Sequence, residues 1–216
     1  MNGNPPNTFN CPSCGAPVNF RSAAIVLAQC GNCKKGVVRH DLNLELIGQE
    51  AILQADMSPF QPGTSGVYEG KTFDLLGRLK VVYDQGTWSE WYALFHDGTV
   101  GWLAEAQGLY MMSFEKARDV HYPPSVKVGM KFTWDKVNYE IDDIRQITYL
   151  GYQGELPYTF QQGYRALSLD FRSPEGLFAS ATITSEEGMT LYTGKYMPFE
   201  SFRFTNLRQI DGWDLH

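Results

Sequence analysis

Lys71 to Ser113 read KTFDLLGRLKVVYDQGTWSEWYALFHDGTVGWLAEAQGLYMMS, and this stretch decides the fold class. Strand-favouring residues dominate it, among them Phe73, Val81, Val82, Tyr83, Trp88, Trp91, Tyr92, Phe95, Trp102 and Tyr110. The breaks between the apolar runs fall at Asp84-Gln85-Gly86, Asp97-Gly98 and Gln107-Gly108. Asp-Gly between apolar runs is a hairpin signal, because a type I′ turn needs positive φ at both central residues. The pattern predicts a β-meander.

A looser version of the same rhythm follows residue 136. FDLLGRLKVVY (73–83) lines up with YEIDDIRQITY (139–149), EWYALFHDGTVGWLAEA (90–106) with GYRALSLDFRSPEGLFASAT (163–182), and GLYMMSF (108–114) with GMTLYTG (188–194). Single positions match poorly, so the order of strands and turns carries the likeness; the reading is a duplication, with a generic meander rhythm as the alternative. The second copy holds an extra loop, LGYQGELPYTFQQG (150–163), whose Leu156, Pro157, Tyr158 and Phe160 predict folding back onto the body. The architecture expected is mostly β: an N-terminal zinc ribbon with its lead-in strand (1–55), then two tandem small β-sheet or half-barrel repeats (56–122 and 123–216), standing side by side.

The amino end reads CPSCGAPVNFRSAAIVLAQCGNC, with Cys11 and Cys14, fifteen residues, then Cys30 and Cys33. Paired Cys-x-x-Cys turns, with Gly15 and Gly31 beside or inside them, match the spacing of a structural zinc site. Four thiolates at about 2.3 Å close a tetrahedron around Zn²⁺ and leave no position for water. A redox pair is the weaker reading, given the second pair and no βαβ context, and iron is compatible with the same ligands. All four cysteines lie within the first 33 residues, which suits one metal site in a reducing compartment better than a disulfide framework. Lys34, Lys35, Arg39 and His40 then form a small basic patch, read first as a solvated hairpin edge. From Val37 to Gln54, alternation at Leu42, Leu44 and Leu46 predicts a strand, and MSPFQPGTSG (57–66) a boundary loop. EKARDVHYPPSV (115–126) reads as a helical turn or irregular connector, and MPFESFRFTNLRQIDGW as a last strand with a docked tail anchored by Trp213.

Composition narrows the function classes. The net charge is −6, and its acid lies in the β part: residues 1–55 carry four basic and three acidic groups, residues 56–124 five and nine, and residues 125–216 nine and twelve. Nucleic-acid affinity comes largely from cations neutralising phosphates, so this body argues against a general DNA or RNA binder. No apolar run approaches the roughly 18 residues that span a bilayer, and the start has neither a basic nor an apolar leader segment, so the expectation is a cytoplasmic protein with at most peripheral membrane association.

CPSCGAPVNF, SPFQPGTSG, FDLLGRLKVVY, WSEWYALFHDGTVGWLAEAQG, GELPY and LYTGKYMPFE together resemble a bacterial domain-of-unknown-function family with a zinc-ribbon head and a repeated β domain. The resemblance covers nearly the whole chain. It implies the fold just described and a setting in envelope-stress or polyamine-related gene neighbourhoods, and it implies no established activity.

The sequence carries few signs of catalytic chemistry. His40, His96, His121 and His216 belong to no HExxH or Cys-His pattern, no G-x-S-x-G elbow occurs, and Gly70-Lys71-Thr72 lacks the first glycine and the following helix of a phosphate loop. The suggestive constellation is Trp88, Glu90 and Tyr92 on one face of a strand, with Trp102 and Glu105 on the next strand and Glu155 in the extra loop. An acid flanked by aromatics is what an ammonium group needs. The plainer reading has Trp88 and Tyr92 covering an apolar seam and Glu90 paired with Arg78. Three function classes follow: a non-enzymatic zinc-containing adaptor presenting β surfaces to a protein partner, a binder or enzyme for a cationic metabolite such as a polyamine, and a nucleic-acid-binding zinc-ribbon protein.

Overall fold

The computed structural model describes residues 8–40, 43–47, 53, 56–159, 161–186 and 188–210. Five short strands form the amino-terminal head: β1 (Thr8–Asn10), β2 (Pro17–Asn19), β3 (Leu27–Gln29), β4 (Gly36–His40) and β5 (Asn43–Ile47). The body contains β6 (Ser65–Tyr68), β7 (Lys71–Tyr83), β8 (Gly86–Phe95), β9 (Val100–Ala106), β10 (Leu109–Ala117), β11 (Lys131–Trp134), β12 (Val137–Leu156), β13 (Arg165–Arg172), β14 (Phe178–Thr184) and β15 (Gly188–Met197). A 3-10 turn over Phe199–Phe202 follows, and the described residues contain no α-helix. The fold class is mostly β, with the cysteine-bearing segment ahead of a large sheet, as the sequence implies.

The two meanders, β7–β10 and β12–β15, each supply half of one closed barrel. Strand pairing runs β7, β8, β9, β10, β15, β14, β13, β12 and back to β7, antiparallel at every step. First strand pairs with first and last with last, so neither half keeps a free edge at the seam. The β7–β12 seam depends on glycine: Gly77 and Gly154 face each other, and a Cβ on Gly77 would sit 2.4 Å from the Glu155 carbonyl oxygen. Eight strands enclose an interior wide enough for side chains or one small ligand.

The outer faces hold much of the apolar core. On β8, Trp91, Ala93 and Phe95 point outward and are buried with Leu103, Tyr110 and Met112 beneath Phe60, Tyr68 and Phe202, so residues 58–68 and the carboxy-terminal turn cover this half. On the other half, Leu169, Phe171, Ala179, Ala181, Met189 and Leu191 are buried, with Val120, Tyr122, Phe132 and Trp134 of the inter-meander connector and β11 packed over them. A bulge between Leu75 and Gly77 shifts the facing of β7, so that Phe73 and Leu75 join the outer core while Leu79 turns inward.

The head docks through its own strand. β3 pairs with the end of β12, with Leu27 opposite Leu156 and Ala28 opposite Glu155. Phe9, Phe20, Ile25 and Leu27 share one apolar cluster with Leu79, Tyr92, Tyr152 and Leu156 of the barrel, with Trp102 packed against it.

Several local expectations are corrected. The strand expected over 37–54 is a hairpin, β4 against β5 with His40 opposite Asn43; Leu42 lies outside the described residues, as do 48–52, 54 and 55. At Asp97-Gly98 only Gly98 takes positive φ, and Asp97 instead accepts the Thr99 backbone N–H at 2.9 Å; of the three expected turns, Gln107-Gly108 has both φ positive. β12 runs through Leu156, which shortens the extra loop. Its Tyr158 does fold back, stacking on Trp102 with centroids 5.9 Å apart. The last strand expected around Phe199 is a 3-10 turn followed by left-handed backbone at Arg203 and Asn206, although Phe202 and Phe204 still reach the outer core. Trp213 lies outside the described residues.

Candidate functional site

Two sites emerge, one in the head and one inside the barrel. In the head, each Cys-x-x-Cys turn is built by the same pair of backbone bonds. Gly15 N–H donates to the Cys11 carbonyl at 2.8 Å and Cys11 N–H to that of Ala16 at 2.8 Å; Lys34 and Cys30 repeat this with Cys30 and Lys35, each at 2.9 Å. The residue after each knuckle must be left-handed, with φ of 74° at Gly15 and 62° at Lys34. The four Sγ atoms of Cys11, Cys14, Cys30 and Cys33 lie within 4.8 Å of one another, and the Cys11–Cys33 and Cys14–Cys30 separations are both 3.7 Å. Sulfurs at about 2.3 Å from a common centre in a tetrahedron would be about 3.8 Å apart, so the donor set fits a tetrathiolate metal ion. Three residues of the adjacent basic patch are engaged locally: Lys34 Nζ donates to the Gly31 carbonyl, Arg39 to that of Ala23 while lying over Phe20, and His40 bonds Glu45.

The second site is a cavity of about 510 Å³ in the barrel, lined by inward residues of all eight strands and by Tyr158, Thr159, Gln161 and Tyr164 of the β12–β13 loop. That volume falls within the ~300–1,000 Å³ typical of small-molecule pockets. Its two walls differ. The first meander contributes mainly apolar surface, from Leu79, Trp88, Trp102, Ala104 and Met111, with Glu90 set among them. The second contributes hydroxyls, from Ser168, Ser180, Thr182, Thr190 and Tyr192, together with Asp170 and Arg145. Leu79 and Trp102 belong both to the cavity and to the packing against the head, so head and cavity share a floor.

The charged lining groups have unlike environments. Arg145 Nη1 donates to Asp170 at 2.8 Å, a second nitrogen reaches Asp143, and the guanidinium lies 5.2 Å from the Tyr83 ring centre. Burial raises the Asp170 pKa, partly opposed by Arg145. Glu90 accepts the Trp88 indole N–H at 3.0 Å. Loss of bulk solvent pushes its carboxyl above the usual range; the Trp88 bond pulls the other way and the Asp170 charge adds to the rise. Burial also drives Tyr149 well above the usual phenol value.

Of the six residues picked out from sequence, Trp88, Glu90 and Trp102 meet at this cavity and the other three stand apart from its lining. Tyr92 is buried in the shared floor, its ring 5.2 Å from Trp102. Glu105 faces outward, accepting Ser58 Oγ at 2.7 Å and Trp91 Nε1 at 3.1 Å. Glu155 clamps the head, taking the Arg21 backbone N–H at 3.0 Å and Nε at 2.8 Å. The expected Glu90–Arg78 pair does not form. Arg78 lies on the outer side over Trp91, and its Nη1 reaches Asp56 at 3.0 Å, where Lys80 and Arg208 also converge. Sequence reasoning missed the second wall, although its signal was present: small hydroxyl residues alternate with aliphatics at Ser168-Leu169, Ser180-Ala181-Thr182 and Thr190-Leu191.

These features define a cavity-bearing antiparallel β-barrel with a cysteine head able to hold a metal ion. Residues 61–199, well over half of the chain, match the family described as Domain of unknown function (DUF4178), and the protein belongs to that family. The matched span contains the barrel and leaves the four cysteines outside it. No curated protein and no solved structure matches the chain. Among the described residues no helix is long and apolar enough to cross a membrane.

Proposed function

We propose that this chain is a non-enzymatic binding protein whose barrel takes a small organic molecule in its interior, while the four-cysteine head is a structural zinc site. The observation that carries this reading is the cavity itself: an eight-stranded wall whose inward positions leave about 510 Å³ unfilled and offer both apolar and hydroxyl surface. A barrel stabilised by inward packing would fill that space. Zinc is taken as the metal because paired Cys-x-x-Cys turns at this spacing are the usual donor set of structural zinc sites, and such a site suits a reducing compartment such as the cytoplasm.

The adaptor reading, in which β surfaces recruit a protein partner, has less support, since the chain's own segments cover much of both outer faces. A nucleic-acid role is disfavoured by the acidic body. A cationic metabolite agrees with Glu90 in the lining; the polyamine or envelope-stress setting implied by the sequence resemblance is one context for such a ligand.

The test is titration of the full chain with Nile red, a neutral dye that brightens on leaving water. The expected result is saturable binding at one dye per chain, weakened at least tenfold by Ala104→Trp or, from the opposite wall, Thr182→Trp, with the fold retained by circular dichroism. Equal binding by the wild type and a folded variant would place the dye elsewhere and sink the reading.

A further inference from the structure

We propose that the barrel interior takes an organic ammonium ion, held by the Glu90 carboxylate, with its carbon skeleton against the apolar wall of the first meander. This rests on the cavity reading above and adds the chemical class of ligand.

Glu90 is the one carboxylate that the first meander contributes to the cavity lining, and it stands among Leu79, Trp88, Trp102 and Ala104. Among the described residues its hydrogen-bond partner is the Trp88 indole N–H, a neutral donor. The cationic side chain lining the cavity, Arg145, is already held by Asp143 and Asp170. Among the described residues the interior therefore contains a carboxylate with no counter-ion, near a second carboxylate, Asp170, whose charge works against its ionisation. Burying such a group without an opposite charge is unfavourable, and two events relieve it: proton uptake or arrival of a cation. An anionic ligand would make the field worse. Trp88 and Trp102 present ring faces or edges to the same space, and an ammonium group over an aromatic face gains electrostatic attraction that grows when water is excluded.

The outward side of the barrel shows how this chain treats a carboxylate it means to satisfy internally. Asp56 gathers Arg78, Lys80 and Arg208, and Glu155 takes two N–H groups of Arg21. Among the described residues Glu90 has no such partner, and it is the one of these three that borders open volume. A protonated Glu90 donating to a neutral ligand is the rival arrangement, and it makes the opposite demand on ligand charge.

Competition against bound Nile red in the full chain at pH 7.5 separates these, using hexylammonium, hexan-1-ol and hexanoate as probes of equal length. The expected order is displacement by hexylammonium at a concentration at least tenfold below that of hexanol, with hexanoate weakest. Glu90→Gln should weaken hexylammonium at least tenfold more than it weakens hexanol or Nile red, and lowering the pH on the wild type should weaken hexylammonium selectively. Hexanol equal to hexylammonium, or hexylammonium indifferent to Glu90→Gln, would overturn the ammonium assignment while saturable Nile red binding kept the cavity reading intact. Absence of saturable Nile red binding in the wild type would remove both.

Discussion

On the outer side of β8, Trp91, Ala93 and Phe95 are buried against Phe60, Phe73 and Phe202, while on the inner side of the same strand Trp88 and Glu90 border open volume. β13 repeats the contrast, with Leu169 and Phe171 packed outside and Ser168 and Asp170 facing in. Alternation along a strand sends neighbours to opposite faces, so one segment can hold the barrel together with one set and line a chamber with the other. Much of the fold's stabilisation can therefore come from surface buried under the chain's own connecting segments, which leaves the interior free to carry polar and charged groups.

The largest effect tests whether the head is as dependent on metal as this division requires. Cys30→Ser removes one thiolate, and since metal binding to small cysteine sites supplies on the order of 10 kcal/mol of folding energy, the head should lose its structure and its bound metal. Elemental analysis should give one zinc per wild-type chain and less than a tenth of that in the variant, and hydrogen exchange should show lost protection over β1 to β4 with the barrel strands retained. Because Leu79 and Trp102 belong to the shared floor, Nile red affinity should fall as well. A head that stays protected without metal would contradict the assignment.

Next in size is the contrast between the two faces. Phe171→Ala, from the outer core, should cost about 3–5 kcal/mol, as aromatic truncations in packed cores do. Ser180→Ala, from the lumen, should stay within about 0.5 kcal/mol. Equal losses by chemical denaturation would mean that the interior is packed after all.

A smaller loss is expected at the outer ion cluster. Arg78 is 3% exposed at its side chain, and among the described residues its Nε has no hydrogen-bond partner, so Asp56→Asn leaves a buried guanidinium without its carboxylate. The cost should be about 3 kcal/mol. The pH dependence has the matching sign: burial pushes the Asp56 carboxyl up, but the Lys80 hydrogen bond and the Arg78 charge outweigh this and lower it. Its stabilisation is present above the ordinary carboxyl range and is lost as pH falls through the lowered value.

Glu90 should behave in the opposite sense and by less. Its folded pKa is raised, so between the ordinary carboxyl value and that raised value the folded state binds more protons than the unfolded, and stability falls as pH rises through the window. Glu105 and Asp170 contribute with the same sign. Glu90→Gln should leave the unliganded protein as stable or more stable at pH 7.5 and make the midpoint's fall with rising pH shallower. A thermal midpoint that drops on Glu90→Gln would show an internal partner for this carboxylate.

The parts of this arrangement that could be read from sequence are those fixed locally. Asp84-Gln85, Asp97-Gly98 and Gln107-Gly108 mark their hairpins because turn geometry is a property of a few adjacent residues, and the paired Cys-x-x-Cys turns declare a cluster for the same reason. Trp88 and Glu90 could be placed on one face by alternation alone. Closure of the barrel could not, since it depends on β7 meeting β12 some seventy residues later at Gly77 and Gly154, where nothing local distinguishes these glycines from turn glycines. The bulge after Leu75 similarly inverts an alternation that looks regular in sequence. Glu105 and Glu155 look equivalent to Glu90 as letters, and the difference lies in which distant donors reach them: Ser58 and Trp91 for one, Arg21 for the other.

The most direct measurement is methyl NMR of the full chain titrated with hexylammonium, because inward and outward methyls interleave on the same strands. Saturable shifts are expected at Ala104, Met111 and Thr182, which line the cavity, with Ala93, Ala181 and Leu191 on the outer faces nearly unmoved. Shifts concentrated on the outer set, or spread evenly over both without saturation, would contradict an interior binding site.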